Sequence, residues 1–165
     1  MPVPLPRPAF LVPTLLLLLG GCGAEDTNGS SPGADEVEPF RPGLHSLMIE
    51  MQFRHANIWF SGDAENWPLA DYQLHEMEEL VEDIVDFHPE YRGAPVGELM
   101  AMITPALEAL DEAVERGDAE AFRSEFAGLT AGCNACHEAT DREVIVIQRP
   151  QTPPMDNLRY SPGSN

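Results

Sequence analysis

The chain has 165 residues, which is enough for one domain, and 28 acidic against nine basic residues give it a formal net charge of −19 at pH 7. All nine basic residues are arginine. A field of this sign repels nucleic acid and anionic lipid, so neither is expected as a partner, and a partner that docks by charge should be basic.

The first 21 residues have the features of an export signal. Arg7 provides a positive charge, and the apolar stretch FLVPTLLLLL that follows is too short to span a bilayer comfortably. Residues 19–22, LGGC, which include the last leucine of this stretch, resemble a bacterial lipobox. In a lipobox the signal peptide is removed before a lipid-bearing cysteine. We therefore expect a lipoprotein signal peptide over residues 1–21 and lipidation of Cys22. A plain secretory signal cut near Ala24 is the alternative.

Residues 22–42 are small, polar and acidic, with several prolines and no apolar period. Such a segment cannot bury enough apolar surface to order itself, so we expect a flexible, disordered tether. A lipid anchor followed by a tether predicts a domain held on the periplasmic side of a bacterial membrane, with the anchor as its membrane contact.

Residues 43–142 show the apolar spacing of four amphipathic helices. The first begins at Leu44, the second follows Asn66, the third opens near Pro95, and the fourth follows Asp118. No strand pattern separates them. Because short connections make neighbouring helices antiparallel, we expect an all-α, up-down-up-down four-helix bundle.

The third helix contains Thr104-Pro105, which should kink or restart it. Its apolar residues, expected to face the core, are Val96, Leu99, Met102, Ile103, Leu107, Leu110 and Val114.

The motif CNACH stands late in the fourth helix. With Cys22 assigned to the lipid, Cys133 and Cys136 are the remaining cysteines, too few for a disulfide framework or a four-cysteine zinc cage. In C-x-x-C-H the two thiols add to the vinyl groups of haem, and the histidine binds the iron. We therefore predict one covalent haem c, with thioethers to Cys133 and Cys136 and with His137 as the proximal ligand.

Other interpretations of the motif are weaker. A redox dithiol is typical of a βαβ context, which is not visible here. Zinc would need a further ligand, such as His55 or His75, and the usual second spaced pair is missing. A disulfide between Cys133 and Cys136 would strain a helix. Haem attachment of this type takes place outside the cytoplasm, in agreement with the export signal. A haemless structural or metal-binding lipoprotein remains an alternative.

The far side of the iron decides the function. In the expected bundle the end of the fourth helix lies beside the start of the first, so the residue opposite His137 should come from the first helix. Met48 is the first candidate and Met51 the second, although both are also explained as core methionines. His55, two turns beyond Met48, is expected to be a hydrogen-bonded core or boundary histidine.

Residues 143–165 are expected to form an extended, proline-rich tail. Its apolar segment Val144 to Ile147 should lie over the bundle, and Met155 is a remote candidate for the distal ligand. Arg142, just after the motif, is expected either to contact a haem propionate or to be solvated.

Four helices with a single C-x-x-C-H late in the last one resemble the cytochrome c′ family, over roughly residues 44–142. The resemblance implies that a first-helix residue lies over the iron, and members are often homodimers. A bound methionine gives low-spin haem suited to electron transfer to a redox partner protein. An apolar residue instead leaves the iron open to a small gas such as nitric oxide. We expect electron transfer, with gas binding or sensing as the alternative, and no catalytic constellation that would indicate an enzyme.

Overall fold

The structure is a computed structural model that describes residues 40–163. The predicted signal peptide, the lipidation of Cys22 and most of the predicted tether lie outside these residues. The described part is mostly helical, as an all-α fold requires, and none of its helices is long and apolar enough to cross a membrane. Its elements are α1 (Leu44–Asp63), α2 (Trp67–Phe87), β1 (Glu90–Tyr91), β2 (Ala94–Pro95), α3 (Val96–Met100), α4 (Thr104–Glu115) and α5 (Ala119–Ala139).

Local sequence signals explain where α2 and α5 begin. Asn66 precedes α2, and Pro68 occupies its first turn, where a missing N–H costs little. Gly117 follows α4 with a φ of 62°, a backbone conformation that glycine adopts without steric penalty. Asp118 then caps α5, because its Oδ1 accepts hydrogen bonds from the backbone N–H groups of Glu120 (3.1 Å) and Ala121 (3.0 Å).

The predicted third helix is two helices, because the chain restarts at Thr104 after a turn over residues 101–103. The turn changes which side chains face inward. Met102 is 40% exposed, so its predicted burial is wrong, and Met100 is buried in its place. Proline in the first turn of α4 explains the restart, since its ring and missing N–H do not fit a helix interior.

A short hairpin separates α2 from α3, so the expectation that no strand lies between the helices is also wrong. Tyr91 pairs with Ala94 in antiparallel register. The two residues between them, Arg92 and Gly93, both have positive φ (53° and 85°), as a two-residue type I′ turn requires. Strands of two residues are too short to show an alternating pattern, which is why the sequence did not reveal them.

The helices contact one another in the pairs α1/α2, α2/α4, α4/α5 and α1/α5. In the α1/α5 pair, aromatic rings fill the core at one end: the ring centroids of Trp59 and Phe126 are 5.0 Å apart, and those of Phe122 and Phe126 are 6.1 Å apart. Phe122 and Phe126 are almost completely buried, and burying one such side chain stabilises a fold by about 1.5–3 kcal/mol.

A buried histidine links α1 and α5 further along. His55 is 2% exposed, and its Nε2 lies 2.9 Å from Oγ1 of Thr130. The Thr130 hydroxyl donates its own proton to the carbonyl oxygen of Phe126 (2.9 Å), so Nε2 of His55 must be the donor in the first bond. Burial lowers the pKa of His55 from 6.5 to about 4, and the ring is therefore neutral at pH 7. The expectation of a hydrogen-bonded core or boundary histidine is confirmed.

We expect Gly62→Ala to lower the free energy of unfolding by about 3 kcal/mol, because overpacking a tight core site strains its neighbours. A Cβ atom at Gly62 would lie 2.1–2.5 Å from ring atoms of Phe122. Gly128→Ala is the matched control in a helix, since its nearest neighbour would be the Cβ of Ala106 at 3.9 Å. Urea denaturation checks the prediction, and equal stability of wild type and Gly62→Ala would contradict this packing.

The neutral state of His55 predicts a stability that depends on pH. Because its folded pKa (about 4) lies below the unfolded value (6.5), its contribution is complete above pH 6.5 and is lost as the pH falls towards 4. The loss amounts to about 3 kcal/mol at about 1.4 kcal/mol per pKa unit. Denaturation between pH 7 and 4 should show this loss in wild type and in His75→Gln, whose histidine is 68% exposed, but not in His55→Gln. The same pH slope in all three proteins would refute it.

Candidate functional site

A cavity of about 440 Å³ opens between the first half of α1 and the last turns of α5. Its volume lies within the range of sites for small ligands and cofactors, and its walls are mainly apolar. The side chains that line it are Leu44, His45, Met48, Ile49, Met51, Gln52, His55, Tyr91, Val96, Leu99, Met100, Ile103, Cys133, Cys136, His137, Thr140, Arg142, Ile145 and Ile147.

Six of the seven site residues predicted within the described part of the chain line this one cavity, and the exception is Met155, the remote candidate for the distal ligand. The six residues in the cavity are Met48, Met51, Cys133, Cys136, His137 and Arg142. The structure therefore brings the CNACH motif and the two first-helix methionines together, although α1 and α5 lie at opposite ends of the helical sequence. The predicted lipid site, Cys22, lies outside the described residues.

The two cysteines are half-buried free thiols on the face of α5 that borders the cavity. Burial, with a smaller contribution from Cys136, raises the pKa of Cys133 to about 11, and burial also raises the pKa of Cys136. Both thiols are thus protonated at neutral pH. Redox-active and metal-binding cysteines usually have lowered pKa values, so this environment does not favour a dithiol redox centre.

Gly132, next to the motif, lets the α3–α4 turn approach α5 closely. A Cβ atom there would lie 3.1 Å from Cγ2 of Ile103 and 3.2 Å from the carbonyl oxygen of Met102. These distances are tighter than ordinary van der Waals contact. The small residue before Cys133 thus allows the turn to pack beside the motif and close one side of the cavity.

The imidazole of His137 is held by a single backbone oxygen. Its Nδ1 donates a hydrogen bond to the carbonyl oxygen of Ile145 at 2.8 Å. Because a carbonyl can only accept, Nδ1 carries a proton, and the imidazole tautomer with its proton on Nδ1 keeps a lone pair on Nε2. A histidine that donates from one ring nitrogen to a carbonyl is oriented to bind a metal through the other.

The α1 wall of the cavity supplies two thioether sulfurs. Met51 is 7% exposed, whereas Met48 is only half-buried. Thioethers are soft ligands that suit haem iron and copper. His55 also lines this wall, but its Nε2 is already bonded to Thr130.

The α1/α5 contacts define a register that continues into the cavity. Gly62 contacts Phe122, Trp59 contacts Phe126, and His55 contacts Thr130. Residue numbers therefore decrease along α1 in the direction in which they increase along α5. The helices are therefore antiparallel. If this register is extended by one helical turn beyond His55 and Thr130, Met51 lies level with Cys133. A second turn brings Met48 level with His137.

The hairpin borders the cavity next to the end of α5. The guanidinium of Arg142 lies over the ring of Tyr91, 5.8 Å from its centroid, and Arg92 forms a 3.0 Å ion pair with Asp141. This ion pair is solvent-exposed and contributes little by itself. Sequence reasoning had identified Arg142 but missed Tyr91, because a single tyrosine in a loop carries no pattern.

The chain after α5 closes the remaining side. We call residues 143–147 the C-terminal strap. Ile145 and Ile147 line the cavity, although Ile145 is still 47% exposed, while Val144 and Val146 are 86% and 61% exposed. The expectation that all four apolar residues cover the helices is therefore wrong for Val144 and Val146. Val144 lies in a turn that is closed by a hydrogen bond from the N–H of Ile145 to the carbonyl oxygen of Arg142 (2.8 Å).

Hydrogen bonds fasten the strap and the tail that follows it. The Asn134 side chain accepts from the backbone N–H of Ile147 (2.7 Å) and donates to its carbonyl oxygen (2.9 Å). Further along, the Tyr160 hydroxyl donates to Oδ1 of Asn57 (2.6 Å), and the guanidinium of Arg149 lies 5.1 Å from the centroid of the Trp59 ring. No composition or spacing rule had indicated these contacts.

Of the two residues proposed as additional zinc ligands, His55 lines the cavity with its Nε2 bonded to Thr130, and His75 lies elsewhere. His75 lies on an exposed face of α2, 3.4 Å from Glu79. Within residues 40–163, no three His, Cys, Asp or Glu side chains are grouped so that they could hold a metal ion.

Comparisons with known proteins give no relative for this chain: no family model matches it, and no curated protein or solved structure shows significant similarity.

Proposed function

We propose that this chain is a periplasmic, membrane-tethered c-type cytochrome that carries one haem c and transfers electrons. The observation that carries the proposal is the convergence of CNACH and Met48 on a single apolar cavity. The sequence favours Met48 because an antiparallel bundle would put it opposite His137, and the two residues do line the same cavity. The anchor on Cys22 and the tether rest on the sequence alone.

The donor set of the cavity fits a covalently attached haem. Cys133 and Cys136 provide two thiols separated by one helical turn, and His137 offers a free Nε2 directly after them. The walls are apolar, as the porphyrin face requires. Arg142 is a half-buried cation at the edge of the same cavity, suited to a propionate.

Bound haem would supply a reversible one-electron couple. The protein's own contribution is to hold and shield it. Thioether bonds from Cys133 and Cys136 would fix its edge, Nε2 of His137 would bind the iron, and Arg142 would pair with a propionate. The apolar side chains of α1, α3 and the strap would exclude water, and the low polarity of this environment sets the reduction potential together with the axial ligands.

We propose Met48 as the distal ligand. The α1/α5 register favours it over Met51, because it brings Met48 level with His137 and Met51 level with Cys133. Met51 is also the more deeply buried of the two, which suits a core position. A methionine and a histidine together give low-spin haem and a raised potential.

The proposal includes an up-down-up-down arrangement of α1, α2, α4 and α5. The contacts α1/α2, α2/α4, α4/α5 and α1/α5 form a closed ring of neighbours, which is the pattern such a bundle requires. With a net charge of −19, a redox partner that docks by charge would be basic.

Gas binding is the second candidate, and the half-buried state of Met48 is the observation that favours it. If the Met48 sulfur stays away from the iron, the iron would be open to a small gas such as nitric oxide. The rest of the α1 wall would then present the apolar Leu44, Ile49 and Met51 together with His45, Gln52 and His55. The two candidates share the cofactor and differ in one bond.

Absorption spectra of the mature protein, produced with haem-maturation machinery, distinguish these candidates. We expect a low-spin spectrum in both oxidation states that carbon monoxide or nitric oxide changes little. Met48→Ala should become high-spin, bind gas readily and show a lower reduction potential, because a methionine ligand raises it. Met102→Ala, at an exposed methionine outside the cavity, is the matched control and should behave as wild type.

Each contrary result has a defined meaning. A wild-type spectrum that is already high-spin and shifts with gas would support the second candidate. A Met48→Ala spectrum that stays low-spin would exclude Met48 as the ligand. A mature chain without haem bands would refute both candidates and leave a haemless lipoprotein.

A further inference from the structure

We propose that Asn134, the residue after the first cysteine of CNACH, is a positioning residue that holds His137 in its iron-binding orientation by way of the C-terminal strap. Its relevance to an iron ligand rests on the proposed function, whereas the arrangement of side chains does not.

The Asn134 side-chain amide pairs with both backbone groups of Ile147, as the backbone of a neighbouring β-strand would. Its Oδ1 accepts from the N–H of Ile147 (2.7 Å), and its Nδ2 donates to the carbonyl oxygen of Ile147 (2.9 Å). Nδ2 also donates to the carbonyl oxygen of Thr130 (3.1 Å), one turn earlier on α5. Three hydrogen bonds thus fix the amide plane and join one point of the strap to the helix.

The strap transmits this constraint to the imidazole two residues away. The carbonyl oxygen of Ile145 accepts the Nδ1 proton of His137 at 2.8 Å. Asn134 and His137 are three residues apart on α5 and therefore lie on the same side of the helix, so one short extended segment can contact both. The backbone N–H of Arg142 donates to the carbonyl oxygen of His137 (2.7 Å). This bond turns the chain after α5 back towards the side of the helix that carries Asn134 and His137.

Side chains of the strap show that its position is specific. Ile145 (47% exposed) and Ile147 line the cavity, while Val144 and Val146 are 86% and 61% exposed and do not, although all four are apolar. Burial alone would not choose between these two pairs, but the bonds at Ile147 and Ile145 do, because they set the register of the strap. Without Asn134 the strap would keep the turn bond from the N–H of Ile145 to the carbonyl oxygen of Arg142 (2.8 Å) and the bond from His137, but it would lose its attachment at Ile147. We expect the Nδ1 proton of His137 then to exchange more readily with water.

The test follows the Nδ1 proton of His137 by NMR in the full-length chain labelled with ¹⁵N-histidine. Samples are prepared both with haem attached and without it, and the His137 signal of the haem-free chain is assigned with His137→Gln. In wild type we expect the proton on Nδ1, with exchange against deuterated solvent slower than at the exposed His75. In Asn134→Ala the exchange should become about tenfold faster, as expected for loss of one hydrogen bond.

Two matched variants separate positioning from general loosening of the tail. Tyr160→Phe removes the 2.6 Å bond to Asn57 at the far end of the tail but leaves the Asn134 contacts in place. Asn157→Ala changes an exposed asparagine of the same tail. Both should keep the wild-type exchange rate at His137. Backbone amide exchange within α5 should be unchanged in all variants, since the helix itself is not the element that moves.

Wild type alone can overturn the proposal, even if Asn134→Ala does not fold. A haem-free chain in which the neutral His137 ring carries its proton on Nε2 instead of Nδ1, or exchange as fast as at His75, would show that the Ile145 carbonyl does not hold the ring. If the Nδ1 proton of His137 exchanges at the wild-type rate in Asn134→Ala, Asn134 is not a positioning residue. The same conclusion follows if this proton exchanges as fast in Tyr160→Phe as in Asn134→Ala. Failure to attach haem would refute the proposed function instead and would leave the haem-free measurement decisive for Asn134.

Discussion

The antiparallel packing of α1 against α5 is the constraint on which the rest of this structure depends. At one end, Gly62 makes room for the ring of Phe122, and Trp59 and Phe126 complete the contact. In the middle, the hydrogen bond from His55 to Thr130 connects the helices through a neutral, buried pair. Beyond that point the cavity is lined by residues of both helices.

The same register explains why the cavity has its particular chemistry. Once Phe122 is seated against Gly62, the following turns of α5 carry Cys133 and His137 along the part of α1 that holds Met51 and Met48. The packing of Phe122 against Gly62 therefore fixes the position of the CNACH motif relative to α1. A shift of one helical turn would move the methionines about 5.4 Å relative to the motif. The core packing and the position of Met48 and Met51 opposite the motif are thus two consequences of one helix pair.

Much of the helical architecture could be predicted from the sequence because its signals are local. Asp118 caps α5 through its own side chain. Pro105 forces a new helix to begin because proline does not fit a helix interior in any context. The CNACH motif is likewise local, since one helical turn is enough to arrange two thiols and an imidazole. The position of His55 could be anticipated from its distance to Met48.

The remaining features depend on contacts between distant parts of the chain, to which periodicity is blind. Met102 fits a helical stripe, yet the turn before α4 exposes it. Tyr91 reaches the cavity through a hairpin of two-residue strands, and Asn134 binds a backbone segment 13 residues later. An asparagine in a helix gives no indication of its partner, and an extended segment such as VIVI does not show which of its faces is buried.

The central claim is that Cys133 and Cys136 carry a covalent haem, and peptide mass spectrometry tests it most directly. Trypsin cuts after arginine, so cleavage at Arg123 and Arg142 releases residues 124–142 with the whole motif and no other cysteine. The account predicts that this peptide, from protein made with haem-maturation machinery, carries the mass of one haem after denaturation, and that replacing both cysteines by serine abolishes it. An unmodified peptide with two thiols or a disulfide, from cells that attach haem to a known c-type cytochrome, would contradict the account.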